Sequence, residues 1–210
     1  MIIHIEPGNR HLFSRELDAY HRLRKRVFCD QLSWVPAGPD GVERDHLDAQ
    51  YNVVILSVDE AQGTVAGGVR LMPTTGPTLM HTVWADMLPR ADAFRASDIW
   101  EATRFCVDEC SNTSRKHSFV NRTTLALSLA VLEFCDANDI RQVIGVCERK
   151  FFDMQRAYGT HASIISHKVD DNGTEIGCGL WETGQQARAS LAWARPFMGS
   201  PKPPVLARVA

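Results

Sequence analysis

The sequence lacks the short motifs by which many enzymes are recognised. It contains no G-x-G-x-x-G dinucleotide loop, no G-x-x-x-x-G-K phosphate loop, no H-E-x-x-H zinc helix and no G-x-S-x-G nucleophile turn. Its six cysteines form no C-x-x-C pair, which argues against a zinc ribbon and a thioredoxin-type redox site. We therefore expect no metal site, and we interpret most of the cysteines as reduced, buried thiols.

The sequence also has no large excess of either charge. Lys and Arg total 23 residues against 25 Asp and Glu, which gives a net charge of −2. An obligate nucleic-acid binder carries a strong basic excess, so we expect no nucleic-acid partner. No apolar run approaches the ~20 residues that a membrane helix needs, and the N-terminus lacks the basic start and apolar core of a signal peptide. We expect a cytoplasmic protein with no membrane insertion.

Composition and periodicity predict one folded domain. Of the 210 residues, 44% are hydrophobic and 23% are charged, which is typical of a globular chain. We predict a single domain over residues 1–199 and an extended, Pro-rich C-terminal tail over residues 200–210. The predicted element order is β-α-β-β-β-α-β-α-β-β-α, which indicates an α/β (α+β) domain around a mixed central sheet flanked by helices.

Hydrophobic alternation and helical spacing place these elements along the chain. The segment 35–50 contains two prolines and two glycines and is predicted to be a long loop, and loops of that size are commonly functional. A short helix is predicted near 80–88. The predicted strands cover residues 1–6, 52–58, 64–72, 99–107, 142–147, 162–169 and 175–182. The predicted helices cover residues 14–33, 119–138, 149–158 and 184–195.

Six charged residues stand where a purely structural sequence would have apolar ones. Taken singly, each has an ordinary explanation, such as a snorkelling arginine or an aspartate that caps a helix. Together they are close to charge balance, which a partly buried ion network requires. The six residues are Arg24, Arg70, Arg104, Asp45, Asp48 and Glu101.

Two aromatic residues lie near these charges in the sequence. Phe28 and Trp34 are close to Arg24 and to the loop that carries Asp45. A sulfonium or ammonium group is attracted to carboxylates and to aromatic faces, and a ligand carboxylate binds an arginine fork. The pattern favours a mixed pocket for a ligand with several charges, with simple core packing of the two rings as the alternative.

Several segments together resemble the acyl-homoserine-lactone synthases, the LuxI-type autoinducer synthases, over about residues 10–183. The segments are Arg24-Lys25-Arg26-Val27-Phe28, Leu32-Ser33-Trp34, Glu43-Arg44-Asp45-His46-Leu47-Asp48, Val69-Arg70-Leu71 and Trp100-Glu101-Ala102-Thr103-Arg104-Phe105. The family characteristically shares eight positions, and all eight are filled here. They are Arg24, Phe28, Trp34, Asp45, Asp48, Arg70, Glu101 and Arg104.

The resemblance implies a fold similar to that of the GNAT acyltransferases, with a V-shaped cleft between splayed strands. It implies two substrates, S-adenosylmethionine and an acyl thioester supplied as acyl-acyl carrier protein or acyl-coenzyme A, and no cofactor. The implied products are an N-acyl-L-homoserine lactone, which is a quorum-sensing signal, and methylthioadenosine.

The resemblance also implies roles for individual residues. We assign deprotonation of the S-adenosylmethionine amine to Glu101 as a hypothesis, and we place Arg70 and Arg104 with it as catalytic residues. Arg24 and Arg104 are expected to orient the substrate carboxylate, and the two aspartates are expected near the amine or organising those arginines. The residues expected to bind S-adenosylmethionine are Arg24, Phe28, Trp34, Asp45, Asp48 and Arg104.

A further set of residues is expected to form the acyl-chain pocket. Ile144 falls where synthases of 3-oxo-acyl signals often carry Thr, and an alkyl side chain cannot donate a hydrogen bond to a 3-oxo group. We therefore expect unsubstituted acyl chains, with core packing of Ile144 as the alternative. The expected pocket residues are Thr103, Phe105, Ile144, Val146 and Met154.

Other interpretations stay open at this point. Lys116, Arg122, Arg149 and Lys150 are candidates for a basic face that binds an acidic carrier protein, with solvated surface as the alternative. A GNAT-like N-acyltransferase acting on another amine would keep the fold but would not explain the paired aspartates. A non-catalytic sensor of S-adenosylmethionine or an acyl chain would be expected to have lost Glu101 or Arg104.

Overall fold

The computed structural model describes residues 1–36, 38, 40–108 and 122–198. The predicted tail at 200–210 and Lys116 lie outside the described residues, as do the first residues of the helix predicted over 119–138. No helix in the described part of the chain is long and apolar enough to cross a membrane.

In the described part of the chain, seven strands and four α-helices follow the predicted order. The strands are β1 Ile2–Ile5, β2 Val53–Asp59, β3 Thr64–Pro73, β4 Ile99–Val107, β5 Gln142–Glu148, β6 Ala162–Val169 and β7 Glu175–Glu182. The helices are α1 Ser14–Arg24, α2 Arg122–Ala137, α3 Arg149–Ala157 and α4 Gln185–Leu191. Short 3-10 turns cover Arg10–Phe13, His46–Ala49, Ala85–Met87 and Ala192–Phe197.

Three predicted helices differ from the observed ones. The helix predicted over 184–195 is α-helical over Gln185–Leu191 and continues as a 3-10 helix over Ala192–Phe197. The helix predicted over 14–33 continues beyond Arg24 as a π-helix over Lys25–Gln31, in which the Leu32 amide bonds to the Val27 carbonyl five residues back. The helix predicted near 80–88 forms a 3-10 turn over Ala85–Met87. π-Helical turns are uncommon and occur frequently at functional sites.

The strands form one mixed sheet in the order β1-β2-β3-β4-β5-β7-β6. Alternate residues of β2 pack against opposite layers, as expected for a strand buried on both faces. Val53 and Ile55 pack with α2 residues, whereas Val54 and Leu56 pack with α1 residues. The sheet therefore lies between α1 on one side and α2 on the other.

The sheet opens between β4 and β5, the one parallel pair among its neighbouring strands. These strands are paired over three positions, and the last pair joins Glu101 to Ile144. Beyond it, β4 continues against β3 and β5 continues against β7. Gly145 stands at the start of the opening, where an added Cβ would lie 2.9 Å from the carbonyl oxygen of Ala102. The separation produces the V-shaped cleft implied by the family resemblance.

Candidate active site

A network of buried ion pairs lies beside the cleft, where α1, β3, β4 and the 35–50 loop meet. Arg24 on α1 donates hydrogen bonds from Nη1 and Nη2 to the two carboxylate oxygens of Asp48, at 2.7 and 3.0 Å. Its Nε donates to the carboxylate of Glu43. Arg24 is fully buried, so the three hydrogen bonds satisfy a guanidinium that water does not reach.

Arg70 on β3 joins the same carboxylates from the other side. Its Nη1 donates to Asp45 at 2.6 Å and to Asp48 at 2.7 Å, and its Nη2 donates to Asp45 at 2.8 Å. Its Nε donates to the hydroxyl of Thr103 at 3.0 Å. Arg70 is also fully buried, which explains how an arginine is tolerated inside an otherwise apolar strand.

The loop holds its aspartates in place with its own backbone. Asp45 caps the 3-10 turn by accepting a hydrogen bond from the amide of Leu47, and Asp48 accepts one from the amide of Asp45. The two carboxylates thus serve the turn and the arginines at once. The capping role considered for Asp45 from the sequence is confirmed together with its place in the ion network.

Charge interactions keep both aspartates ionised. Burial raises the pKa of each carboxyl, but the hydrogen bonds and positive charges of Arg70 and Arg24 outweigh burial. The pKa values of Asp45 and Asp48 therefore lie below the ordinary value for aspartate. Both residues carry a negative charge at neutral pH.

Arg104 connects the network to the cleft. Its Nε and Nη2 donate to Glu43 at 3.1 and 2.9 Å, and Nη2 lies 3.0 Å from Asp45. Its guanidinium lies 5.3 Å from the centre of the Phe28 ring. Arg104 has a φ of 54° at an irregularity in the β3–β4 register, which shifts between Gly68 and Arg70. A non-glycine residue in this left-handed region is strained by about 1–2 kcal/mol.

Glu43 is the residue of the network that the sequence reasoning missed. It is almost fully buried and bridges two of the arginines. A signal for it was present, because Glu43 lies two residues before Asp45 within a segment that carries the family resemblance. The expected group of three arginines and three carboxylates exists, but its third carboxylate is Glu43 and not Glu101.

Glu101 lies apart from the ion pairs, at the head of the opening between the strands. Its two carboxylate oxygens accept hydrogen bonds from the backbone amides of Leu79 at 2.9 Å and Met80 at 2.7 Å. Burial raises the pKa of Glu101 to about 7, against the opposing effect of these amides and of the Arg70 charge. A buried carboxyl that titrates near neutral pH beside a cavity is a candidate acid or base.

A cavity of about 520 Å³ passes through the sheet where β4 and β5 separate. On the α1 side, its wall is formed by Phe28, Trp34, Trp84 and Glu101. The wall on the α2 side is mainly apolar and includes Leu132, Val143, Phe151 and Met154. The cavity thus offers an aromatic and acidic end to one ligand and an apolar end to another.

The aromatic end is built from rings in contact. The Phe28 and Trp34 centroids are 6.2 Å apart, and those of Trp34 and Trp84 are 6.3 Å apart. The indole Nε1 of Trp34 donates to Asp170 at 3.0 Å, which fixes the ring. Phe28 and Trp34 therefore both pack in the core and present a surface to the cavity.

The predicted binding residues divide into two groups. Phe28, Trp34 and Arg104 line the cavity. Four others do not line the cavity: Arg24, Arg70, Asp45 and Asp48. Their side chains form ion pairs with other protein groups. Arg24, expected to orient the substrate carboxylate, makes its three observed hydrogen bonds to Asp48 and Glu43.

Four of the five residues expected in the acyl pocket line the cavity. They are Thr103, Phe105, Val146 and Met154. Ile144 does not, because its side chain is fully buried among Met80 and Cys178. Ile144 therefore packs in the core, which is the alternative considered for it from the sequence.

The candidate basic face has acidic neighbours. Lys150 pairs with Glu148 at 2.7 Å, and Arg149 lies 3.6 Å from Glu175. The guanidinium of Arg122 lies over the Phe197 ring, 5.2 Å from its centre. In the described ranges, no three His, Cys, Asp or Glu side chains are grouped so that they could hold a metal ion.

Comparison with known proteins gives consistent matches. Residues 9–188 match a family model described as autoinducer synthase. The chain is 32% identical over 135 residues to a probable acyl-homoserine-lactone synthase of Sinorhizobium fredii, and the match covers 64% of each protein.

Solved structures extend the comparison. A CoA-dependent acyl-homoserine lactone synthase, BjaI, crystallised with SAM and isopentyl-CoA, is 28% identical with a TM-score of 0.79, covering 95% of this chain and 90% of that one. A putative N-acetyltransferase of Lactobacillus plantarum is 14% identical with a TM-score of 0.53, covering 88% of this chain and 98% of that one. The similarity to the N-acetyltransferase shows only a shared fold, which is GNAT-like.

Proposed function

The chain belongs to the autoinducer synthase family, and from this premise we propose how its site makes an N-acyl-L-homoserine lactone. The amine of S-adenosylmethionine attacks the carbonyl of an acyl thioester, which forms an amide and releases the thiol. The methionyl carboxylate then attacks the γ-carbon, which is bonded to the sulfonium sulfur. This attack displaces methylthioadenosine and closes the lactone. The observation that carries the proposal is the cavity through the sheet, with one end suited to a cation and the other to an alkyl chain.

The α1 side of the cavity is the proposed site for S-adenosylmethionine. The rings of Phe28, Trp34 and Trp84 suit a sulfonium, which is attracted to aromatic faces. Arg104 lines the cavity, and its Nη1 donates to no acceptor in the described part of the chain. We assign to this group the binding of the substrate carboxylate.

The rest of the ion network acts as support for Arg104 in this proposal. Glu43 and Asp45 hold its guanidinium, and both are held in turn by Arg24 and Arg70. Catalytic groups must be fixed to within a fraction of an ångström, and a buried network provides that rigidity. Arg24, Arg70 and the aspartates are therefore proposed as positioning residues, although Arg70 was expected to be catalytic.

Glu101 is the proposed general base. An α-amino group titrates near pH ~8, so a base with a pKa of about 7 can take its proton at little cost, directly or through a water. The resulting oxyanion needs donors. Among the described residues, β4 has no strand partner on its β5 side beyond Glu101, so we propose that backbone N–H groups around residues 103–106 supply them.

The α2 side of the cavity is the proposed acyl site, with Phe105 and Met154 on its wall. Thr103 and Val146 line the cavity from the α1 face of the sheet, where Thr103 accepts from Arg70 and Val146 packs in the same cluster as Trp84. The donor is an acyl-coenzyme A or an acyl-acyl carrier protein, and no cofactor beyond these substrates is proposed. Both substrates are cytoplasmic metabolites, so we place the reaction in the cytoplasm, without a nucleic-acid partner or membrane insertion.

Incubation of the purified protein with S-adenosylmethionine and a panel of acyl-coenzyme A and acyl-carrier-protein donors tests the proposal. We expect methylthioadenosine and acyl-homoserine lactone in equal amounts, identified by mass spectrometry. Thiol release on another amine without methylthioadenosine would indicate a different N-acyltransferase. Ligand binding without any turnover would indicate a sensor.

A further inference from the structure

A small group of buried polar side chains interrupts the apolar wall on the α2 side of the cavity. Ser128 on α2, Gln155 on α3 and Thr160 just after α3 all line the cavity, and each is less than 10% exposed. We call these three residues the polar cluster. Their neighbours on the wall include Leu132 and Leu191, so the cluster is a polar site within an apolar pocket.

The hydrogen bonds within the polar cluster orient its amide. Thr160 donates its hydroxyl hydrogen towards Oε1 and the backbone carbonyl of Gln155. The opposite side of the amide, Nε2, donates to the hydroxyl oxygen of Ser128 at 3.0 Å. The carboxamide oxygen thus points to Thr160 and the amide nitrogen points to α2.

Two donor hydrogens of the polar cluster have no acceptor among the described residues. A carboxamide has two N–H hydrogens, and Nε2 of Gln155 gives one of them to Ser128. The Ser128 hydroxyl accepts this bond, and within residues 1–36, 38, 40–108 and 122–198 it makes no bond of its own as a donor. Two donors on neighbouring atoms therefore remain without an acceptor from the described residues.

From this geometry we propose that the polar cluster selects an acyl chain carrying an acceptor oxygen, as a ketone or hydroxyl, at a carbon remote from the thioester. This inference rests on the proposed function, because it assigns the chemistry of the chain that the cavity admits. The oxygen accepts hydrogen bonds from Gln155 and Ser128 while the rest of the chain contacts apolar residues such as Met154.

The selection follows from the cost of leaving buried donors unpaired. A plain alkyl chain long enough to cover the polar cluster excludes water and gives the two donors no partner. A chain with an oxygen at the right carbon pairs them. A site built to hydrogen-bond a substrate group rejects the analogue that lacks the group far more strongly than it rejects a missing methylene.

The test is a one-pot competition between donors of equal length. Octanoyl thioester is mixed at equal concentration with four analogues that each carry one ketone, at C4, C5, C6 or C7, and the lactone products are separated by chromatography and quantified by mass spectrometry. We expect one ketone isomer to exceed the octanoyl product by about tenfold or more. Octanoyl product equal to or above that of every ketone isomer would overturn the inference.

Two substitutions trace the preference to the cluster. Gln155→Met keeps the side-chain length and removes the amide, and Ser128→Ala removes the hydroxyl. Each is expected to reduce the ratio of ketone to alkyl product by about fivefold to tenfold. Gln62→Met makes the same chemical change on the exposed turn between β2 and β3 and is expected to leave the ratio unchanged. An unchanged ratio in Gln155→Met and Ser128→Ala would contradict the assignment.

The competition also separates this inference from the proposed function. Absence of methylthioadenosine with every donor would contradict the proposed function. Methylthioadenosine release with a preference for octanoyl would contradict the inference alone. The wild-type competition requires no variant, so a substitution that fails to fold leaves the test intact.

Discussion

The hydroxyl of Tyr20 donates a 2.7 Å hydrogen bond to the backbone carbonyl of Arg104. Tyr20 is fully buried on α1, and burial raises its pKa well above the ordinary value, so it stays a protonated donor. The bond reaches the strained residue of β4 that aims a guanidinium at the cavity. Tyr20 is thus placed to hold Arg104 in its left-handed conformation.

Tyr20→Phe tests this relationship. The loss of one buried hydrogen bond is expected to lower the free energy of unfolding by about 1–2 kcal/mol. Because Arg104 is the proposed carboxylate ligand, we also expect a higher KM for S-adenosylmethionine with a smaller change in kcat. Tyr51→Phe, at an exposed tyrosine, is the matched control. Unchanged KM together with lower stability would show that the bond serves the fold alone.

Replacing one arginine of the ion network should lower the free energy of unfolding. Arg70→Met leaves Asp45 and Asp48 buried with one cation fewer, and breaking a buried ion pair costs about 3–5 kcal/mol. We expect a much lower midpoint in urea or a failure to fold. Arg90→Met, at an arginine paired on the surface, should change stability by less than about 1 kcal/mol. Equal midpoints for both variants would contradict the role assigned to the network.

Glu101→Gln separates catalysis from binding. If Glu101 is the base, acyl transfer is expected to fall by about 10²–10⁴-fold. Affinity for S-adenosylmethionine, measured by calorimetry, should change far less, because the aromatic rings and Arg104 remain. Glu60→Gln on the exposed β2–β3 turn is the control. Full activity in Glu101→Gln would exclude the base assignment.

The pKa of Glu101 also predicts a pH profile. With a pKa of about 7, the ionised fraction rises through neutral pH, so kcat/KM should increase up to about tenfold per pH unit below 7 and level off above it. Without Glu101 as base, only the free amine of S-adenosylmethionine can attack, and that amine titrates near pH ~8. The residual activity of Glu101→Gln should therefore rise up to about pH 8, about one unit higher than in the wild type, and an identical profile in both proteins would contradict the prediction.

Stability at acid pH should depend on Asp48. Its pKa is lowered in the folded protein, so its contribution is fully present above the unfolded pKa of 3.8 and is lost as the pH falls below that value. We expect Asp48→Asn to be less stable than the wild type at pH 7, with the difference shrinking below pH 4. Asp18→Asn removes a carboxylate from an exposed pair with Arg44 and should show a much smaller effect. Parallel pH curves for wild type and Asp48→Asn would contradict the linkage.

Much of the fold can be predicted from the sequence because strands and helices are indicated by local hydrophobic patterns. The β-branched runs at β2 and β3, for example, were predicted to within a residue or two of their observed bounds. The place of Glu43 in the ion network is harder to predict, because its ion pairs are with Arg24 and Arg104, which are distant in sequence. Ile144 does not line the cavity, although Val146 on the same face of β5 does, because Ile144 belongs to the last β4–β5 pair and Val146 lies beyond it. Periodicity along one strand does not show where two strands separate.

The brief pairing of β4 with β5 has a mechanical consequence. Three residue pairs join a four-stranded part of the sheet to a three-stranded part. A molecule lodged in the gap touches both parts, since Glu101 and Val146 belong to opposite edges of it. Reactants bound as proposed would therefore contact both parts of the sheet, and we expect the sheet to become more rigid when the cavity is occupied.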